Sequence, residues 1–515
     1  MIRAVRNMRH LFRIMNVLAQ HDALFPLEHI GAMRDLIYAF TLLNRRKRTG
    51  QQSPGRRLAT ALTKLGPSFI KLGQALSTRP DLIGAEVAAD LSALQDRLPP
   101  FSFAQARKIL EEDFDRPPEE LYRSFDPIPV AAASIAQVHF AVTAEGEDVA
   151  VKILRPDIRA AFRRDIDVFY WLAEIIERTQ PSVRRLKPVE AVAAFAQTVE
   201  MEMDLRFEAA AAVEFANNFS DDLTIRIPSV DWQRTSQRVL TVERVYGIAI
   251  DERDSLIQAG IKPRDVVARA ANTFFNMVFR DGFFHGDLHP GNMFVGTKGE
   301  IILIDFGITG RVDHQTRRYL GEMLLGFLTA DYRRVAEIHF EAGYVPASRS
   351  VDAFTQACRS VAEPIFGRPM NEISIGRLLG HLFKVTEAFG METQPQLLLL
   401  QKTMITAEGV GRYLAPDVNM WTLARPLIEK WIRETLGPEA RLRQIANDIV
   451  SSFEKLPRLV THSEQTAAMF GHDGLKLHPD TLAELTCRRG LHSSTITLLP
   501  WTLVALLLIF LFLSR

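Results

Sequence analysis

Apolar residues recur three and four apart through residues 58–125, the spacing of helices that each bury one stripe, with Pro99-Pro100 and Pro117-Pro118 as breaks. Across residues 126–250 the period changes. Short β-rich runs, Val149–Leu154 and Val239–Val245, stand there among helical stretches. From about 251 to 485 helical spacing returns, apart from two apolar runs, Met293–Val295 and Ile301–Ile304, which the turn Gly296-Thr297-Lys298-Gly299 joins into a hairpin. A small strand-bearing part followed by a helical part predicts an α+β layout.

The two ends break this pattern in different ways. Residues 1–57 carry eleven Lys and Arg against three acids, a local net charge of +8, and close on the polar linker Thr49–Gly55. Within them Ile2, Val5, Met8, Phe12 and Met15 fall at helical spacing, with Arg3, Arg6, Arg9 and Arg13 supplying charge. Such a basic amphipathic helix suits an anionic membrane surface, a mitochondrial presequence or a helix packed on its own domain. Thr495–Leu513 is almost unbroken apolar sequence. Its nineteen positions, at ~1.5 Å each, could just cross a hydrocarbon core of ~30 Å. Arg488 and Arg489 precede it, so the expected topology keeps the bulk of the chain on the cytoplasmic side of a transmembrane helix; a buried helix or half-inserted hairpin is the alternative. The expected divisions are therefore 1–57, 58–125, 126–250, 251–490 and 495–513.

Composition adds limits. The chain has 515 residues, 47% of them hydrophobic, enough for more than one structural unit. A net charge of +1 nominates no nucleic-acid partner. Cys358 and Cys487 are the only cysteines, too few for a disulfide framework or a structural zinc site.

The chemistry concentrates in His285-Gly286-Asp287-Leu288-His289-Pro290-Gly291-Asn292, followed by Ile304-Asp305-Phe306-Gly307. Phosphoryl transfer needs a carboxylate near the acceptor and oxygen ligands that hold Mg2+ against phosphates. Asp287 with Asn292 five residues later can share one loop; Asp305, eighteen residues on, supplies a second metal ligand at the end of the hairpin. His285 is expected to shape the loop through backbone bonds, and neither it nor His289 is read as a metal ligand. Upstream, Val149-Ala150-Val151-Lys152 has the form of the strand that carries the phosphate-binding lysine of kinases. Its carboxylate partner is expected within Glu200–Glu208: Glu202 and Asp204 do not share a helical face, whereas Asp204 and Glu208 stand one turn apart. Where a glycine-rich phosphate loop is expected, the chain has Ala131-Ala132-Ala133-Ser134. Alanine does not adopt positive φ cheaply and its methyl blocks the closest approach to phosphate, so this loop should hold ATP differently.

Taken in order, these marks resemble the UbiB family of ADCK-type atypical kinases. Lys71-Leu72-Gly73-Gln74 matches its KxGQ motif, within Gly66-Pro67-Ser68-Phe69-Ile70 and before Ser77-Thr78-Arg79-Pro80-Asp81. Leu94-Gln95-Asp96, the alanine loop, Lys152, the ExD element Glu202-Met203-Asp204 and the Asp287 and Asp305 motifs complete the set, over about residues 60–345. The resemblance implies a protein-kinase-like two-lobe fold with an N-terminal helical extension that folds over the active site. Lys71 and Gln74, three residues apart, are then both turned towards the phosphates. It implies ATP and Mg2+, ATP hydrolysis more than protein phosphorylation, and support of ubiquinone biosynthesis at the cytoplasmic (or mitochondrial inner) membrane. The partners implied are a lipid or quinone precursor and other biosynthetic enzymes, with a homodimer left open. No Ala-Pro-Glu element or long activation segment follows Asp305, which argues against a platform for polypeptide substrates. Bacterial family members usually end in two spans; one is evident here. A small-molecule phosphotransferase of the aminoglycoside or choline kinase type, and a nucleotide-sensing scaffold, are the competing readings.

Overall fold

The computed structural model describes residues 2–25, 53–77, 83–92, 94, 98–179, 188–364, 385–386, 388–391, 395–418 and 420–436, with the pairs 470–471 and 474–475. The greater part of the linker, residues 78–81 and 95–96 of the family motifs, and the apolar tail 495–513 lie outside these. Among the described residues no helix is long and apolar enough to cross a membrane. Residues 1–432 form one compact unit; in the second, 433–515, Phe470 and Gly471 pair antiparallel with Leu475 and Gly474.

Four helices open the chain: α1 (Ile2–Gln20), α2 (Pro54–Leu65), α3 (Pro67–Ser77) and α4 (Ala85–Ser92). They share a core that includes Leu18, Leu58, Leu62, Phe69, Ile70 and Leu91. Helix α1 confirms the amphipathic reading but rotates its stripe. Met15 is buried, Met8 and Phe12 are 58% and 60% exposed, and Leu11, Ile14 and Leu18 do the packing. The helix therefore packs on its own unit, and His10 Nε2 meets Asp165 at 2.7 Å.

Helices α5 (Phe103–Phe114) and α6 (Pro118–Leu121) lead into β1 (Tyr122–Phe125), β2 (Ala131–Ala132), β3 (Ala136–Thr143) and β4 (Asp148–Leu154). After α7 (Ile158–Thr179), α8 (Pro188–Glu202), α9 (Leu205–Asn218) and β5 (Ile225–Arg226), strand β6 (Val239–Glu243) completes an antiparallel sheet of order β1-β3-β4-β6, with β2 on β3. Strand side chains alternate between faces. Val149, Val151 and Ile153 of β4 therefore pack with Ala106, Ile109 and Leu110 of α5. Leu154 points the other way, into a core with Phe162, Met203, Leu205 and Ala209. Lys152 shares that second face, so the alternation itself aims it at α9.

The larger part follows: β7 (Ile248–Ala249), α10 (Arg253–Gln258), α11 (Pro263–Phe275), β8 (Phe283–His285), β9 (Met293–Val295), β10 (Ile301–Leu303) and β11 (Thr309–Arg311). The β9–β10 hairpin forms as its turn foretells, and β5 and β7 extend it into a small sheet of order β5-β10-β9-β7. Strand β8 pairs antiparallel with β11, His285 opposite Thr309. The helices α12 (His314–Leu328), α13 (Tyr332–Glu341), α14 (Val351–Ala362), α15 (Pro395–Leu414) and α16 (Met420–Leu436) complete the described elements before the last short pair. Asp313 caps α12, its carboxylate accepting from the Gln315 and Thr316 amides, so the chain turns helical soon after Asp305. The short strands β1, β5, β7, β8 and β11 are not foreseen from sequence, because two to four residues hold too little of a period-2 pattern.

Candidate active site

Lys152 lies at the centre of an ion network that is enclosed at Glu208 and open at Asp305. Its Nζ donates to both Glu208 carboxylate oxygens, at 2.8 and 2.9 Å, and stands 3.3 Å from Asp305 Oδ2. Burial works against the ammonium, but the Asp305 and Glu208 carboxylates outweigh it and hold its pKa above the usual value. Burial pushes the Glu208 carboxyl up to about 7, against the pull of Lys152 and with reinforcement from Asp305. At Asp305, whose side chain keeps 47% of its surface, partial loss of hydration opposes ionisation, yet Lys152 prevails and holds the carboxyl below the ordinary aspartate value. The three groups thus carry unequal protons in one small volume. Asp305 is the charged acid, and Glu208 is the one that titrates near neutrality.

The ExD stretch divides its acids by local geometry. Asp204 is the N-cap of α9: its Oδ1 accepts from the Arg206 amide, and both carboxylate oxygens hold the Arg206 guanidinium at 2.9 and 2.6 Å. Four residues on, one helical turn into α9, Glu208 faces Lys152. Glu202, at the end of α8, meets Lys71 of α3 at 2.9 Å, a contact of charge rather than an aligned hydrogen bond. Of the three candidate partners for Lys152, the structure selects Glu208. Lys71 belongs to the same field, since its charge contributes to the depression at Asp305. The glycine between Lys71 and Gln74 also has a steric reason. A Cβ on Gly73 would stand 2.8 Å from Leu62 Cδ1, so a side chain there would push Leu62 aside where α2 and α3 pack closely. Gln74 is half-buried on the same helix; its side chain has no described role in the ion network.

The alanine loop needs no left-handed residue. Ala131 and Ala132 pair with Val138 and Gln137 in extended backbone, the Ala133 amide donates to Ala136 O at 2.8 Å, and Ser134 is fully buried. Arg155 fastens it from below. Its guanidinium donates to Ala133 O at 3.0 and 2.8 Å, to Pro99 O at 2.9 Å and to Leu98 O at 3.3 Å.

The second half of the site is the loop after β8. His285 is fully buried; its Nδ1 accepts from the Asp287 amide at 3.0 Å, which leaves Nε2–H to donate to Ile304 O at 3.2 Å. It is a loop-shaping residue, as expected. Asn292 Nδ2 donates to Asp287 O at 3.0 Å, which leaves its carbonyl oxygen as the end available to a cation. The Ile304 amide donates to Asn292 O at 3.0 Å, so this loop and the Asp305 segment are tied together. Asp305 itself has φ +59°, a conformation that Asp tolerates, and its Oδ1 accepts from the Gly307 amide at 3.2 Å. Asp287 is half open, with His289 Nε2 3.6 Å from Oδ2 and Lys402 Nζ 3.3 Å from Oδ1. Lys402, on α15, is missing from the sequence reading. It lies 115 residues beyond Asp287 inside an apolar helix, where a lysine carries no signal of its own.

Comparison with known proteins accords with this geometry. Residues 93–339 match the model of the ABC1 atypical kinase-like domain and residues 358–419 that of the UbiB helical domain. A Marinobacter nauticus protein named probable protein kinase UbiB is 41% identical over 458 residues, covering 88% of this chain and 84% of its own. Its Vibrio cholerae namesake is 40% identical over 459 residues, with the same coverage. Among solved structures, the Rv3197–erythromycin complex of Mycobacterium tuberculosis has a TM-score of 0.51 at 25% identity, covering 77% of this chain and 98% of that one. With the lysine–glutamate–aspartate network, the tied Asp–Asn loop and relatives along most of its length, this chain belongs to the UbiB family of ABC1-type atypical kinases.

Proposed function

We propose that the chain is an ATP- and Mg2+-dependent atypical kinase-like enzyme, an ATPase in its basic activity, that supports ubiquinone biosynthesis at a membrane. The observation that carries this reading is convergence. Lys152 from the sheet, Glu208 from α9 and Asp305 from the hairpin end meet within 3.3 Å, and Asp305 is tied through Ile304 and Asn292 to the loop of Asp287. In this reading Lys152 takes the α- and β-phosphates, the alanine loop (Ala131, Ala132, Ala133 and Ser134) covers them, and Asp287 receives the acceptor's proton. Lys71, Gln74, Glu202 and Asp204 are proposed to take part in nucleotide binding, with Lys71 and Glu202 paired at 2.9 Å.

The donor set suits magnesium. Asp305 and Asn292 offer hard oxygens, too few to cage an ion. Among the described residues no three His, Cys, Asp or Glu side chains gather at ligand spacing, so phosphate oxygens and water are left to complete the shell. Bound there, the metal supplies charge neutralisation of the transferring phosphates. The curated relatives named UbiB support the ubiquinone pathway. The apolar stretch 495–513 is the proposed anchor, and lipid intermediates or the biosynthetic complex the proposed targets.

The full chain, purified in detergent, is expected to bind ATP with Mg2+ and to release phosphate, with both lost in Lys152→Ala. Cells lacking the gene are expected to accumulate an early prenylated precursor, cured by the wild-type gene and not by Lys152→Ala. Absence of nucleotide binding in the wild type removes the reading. Transfer of label from γ-phosphate to a soluble metabolite replaces it with the small-molecule phosphotransferase.

A further inference from the structure

The residue that meets the Asp287 carboxylate comes from outside the kinase-like match. Lys402 lies on α15, within residues 358–419 that match the UbiB helical domain, whereas Asp287 lies within residues 93–339. Its placement is built rather than incidental. A Cβ on Gly286, the residue before Asp287, would stand 3.1 Å from Leu399 Cδ2, so α15 presses directly on the loop backbone. Leu399 and Lys402, three apart, share one helical face. Thr403 is fully buried beside them, and Val410 and Leu414 anchor the far end of α15 in the main core. The helix is held, and the lysine stem is the part free to move.

The two ends of the proposed phosphate path are provisioned differently. Lys152 is engaged by Glu208 and Asp305, and Lys71 by Glu202. At the acceptor end, His289 stands 3.6 Å from one Asp287 oxygen and Lys402 3.3 Å from the other. A carboxylate that takes the acceptor's proton lies next to the transferring phosphoryl, so a cation touching it is within a side-chain rotation of the γ-phosphate oxygens. A lysine is a compact charge on a flexible stem, suited to exchange one anion for another.

Resting on the ATP-binding reading above, we propose that Lys402 is the γ-phosphate ligand of this site. With the cleft empty it is the counter-ion of Asp287; with ATP bound it turns to the γ-phosphate. The helical region thereby makes the site distinguish a nucleoside triphosphate from a diphosphate. In hydrolysis the bond from the γ-phosphorus to the bridging oxygen breaks and ADP leaves with the electron pair. Water oxygen bonds the phosphorus, and its proton passes to Asp287. Lys402 neutralises charge on the phosphoryl during that exchange.

The test compares ATP and ADP, each with Mg2+, on the full-length wild type, Lys402→Met and Lys402→Arg. Lys402→Met is expected to weaken ATP binding ~10-fold, leave ADP binding within about twofold, and lower the hydrolysis rate ~100-fold. Lys402→Arg is expected to recover part of both losses. In the wild type, ATP but not ADP is expected to protect Lys402 from amine acetylation, a readout that does not require any variant to fold. Equal weakening of ATP and ADP, or equal protection by both, overturns the proposal and leaves Lys402 a structural partner of Asp287. Unchanged binding and turnover in Lys402→Met overturn it as well. A wild type that binds neither nucleotide overturns the function reading itself, and this inference with it.

Discussion

The site has a closed end and an open end. At Lys152 the contact with Glu208 is enclosed: the two side chains keep 17% and 8% of their surface, at 2.8 and 2.9 Å, while Asp305, the third member, keeps 47% and opens to solvent. Around Asp287 the contact is wetter and longer: Lys402 and Asp287 keep 29% and 28%, at 3.3 Å. A buried pair exchanges partners reluctantly because water cannot take the place of the lost contact, whereas a half-exposed pair does so at little cost. The difference teaches a division of labour. On the proposed function, the closed end holds the nucleotide and the open end stays adjustable for transfer.

Asp287→Asn should cut most deeply, because it removes the proton acceptor without touching the closed end. Phosphate release is expected to fall ~1,000-fold, with ATP affinity within a few-fold by calorimetry. A parallel collapse of affinity would break the comparison. Lys152→Ala should act in the opposite sense, weakening ATP binding ~100-fold. The fold should tolerate it well by thermal melting, because the Glu208 carboxyl, already at about 7, can neutralise by taking a proton.

The Glu208 proton gives a third test. Its folded value lies above the ordinary glutamate range, so its share of stability is complete in acid and is lost as pH rises towards and through 7. Between pH 5 and 7.5 the wild type should lose stability relative to Glu208→Gln by on the order of 2 kcal/mol, measured by denaturant titration at each pH. A difference flat with pH would show that the closed end is not dry. The smallest effect belongs to Arg155→Ala, which removes four donations to backbone carbonyls beside the cleft and should cost ~1–2 kcal/mol.

How much of this was legible depended on the range of each interaction. The Asp287–Asn292 loop, the β9–β10 hairpin and the Asp313 cap are local, so residue order alone announces them. Lys152 was legible because strand alternation and its place before the loop agree. Its partner was not, since choosing Glu208 over Asp204 requires knowing that a helix starts at Leu205 and claims Asp204 as its cap. Which side of α1 packs was not legible, because that face is set by α2 and by Asp165, distant in sequence. Lys402 was silent for the same reason.

Arg155 couples parts that sequence keeps separate. By gripping Ala133 of the alanine loop together with Leu98 and Pro99, it ties that loop to the segment that enters α5. On the proposed function, a nucleotide that displaces the alanine loop also pulls on Leu98 and Pro99, and so on the segment that enters α5.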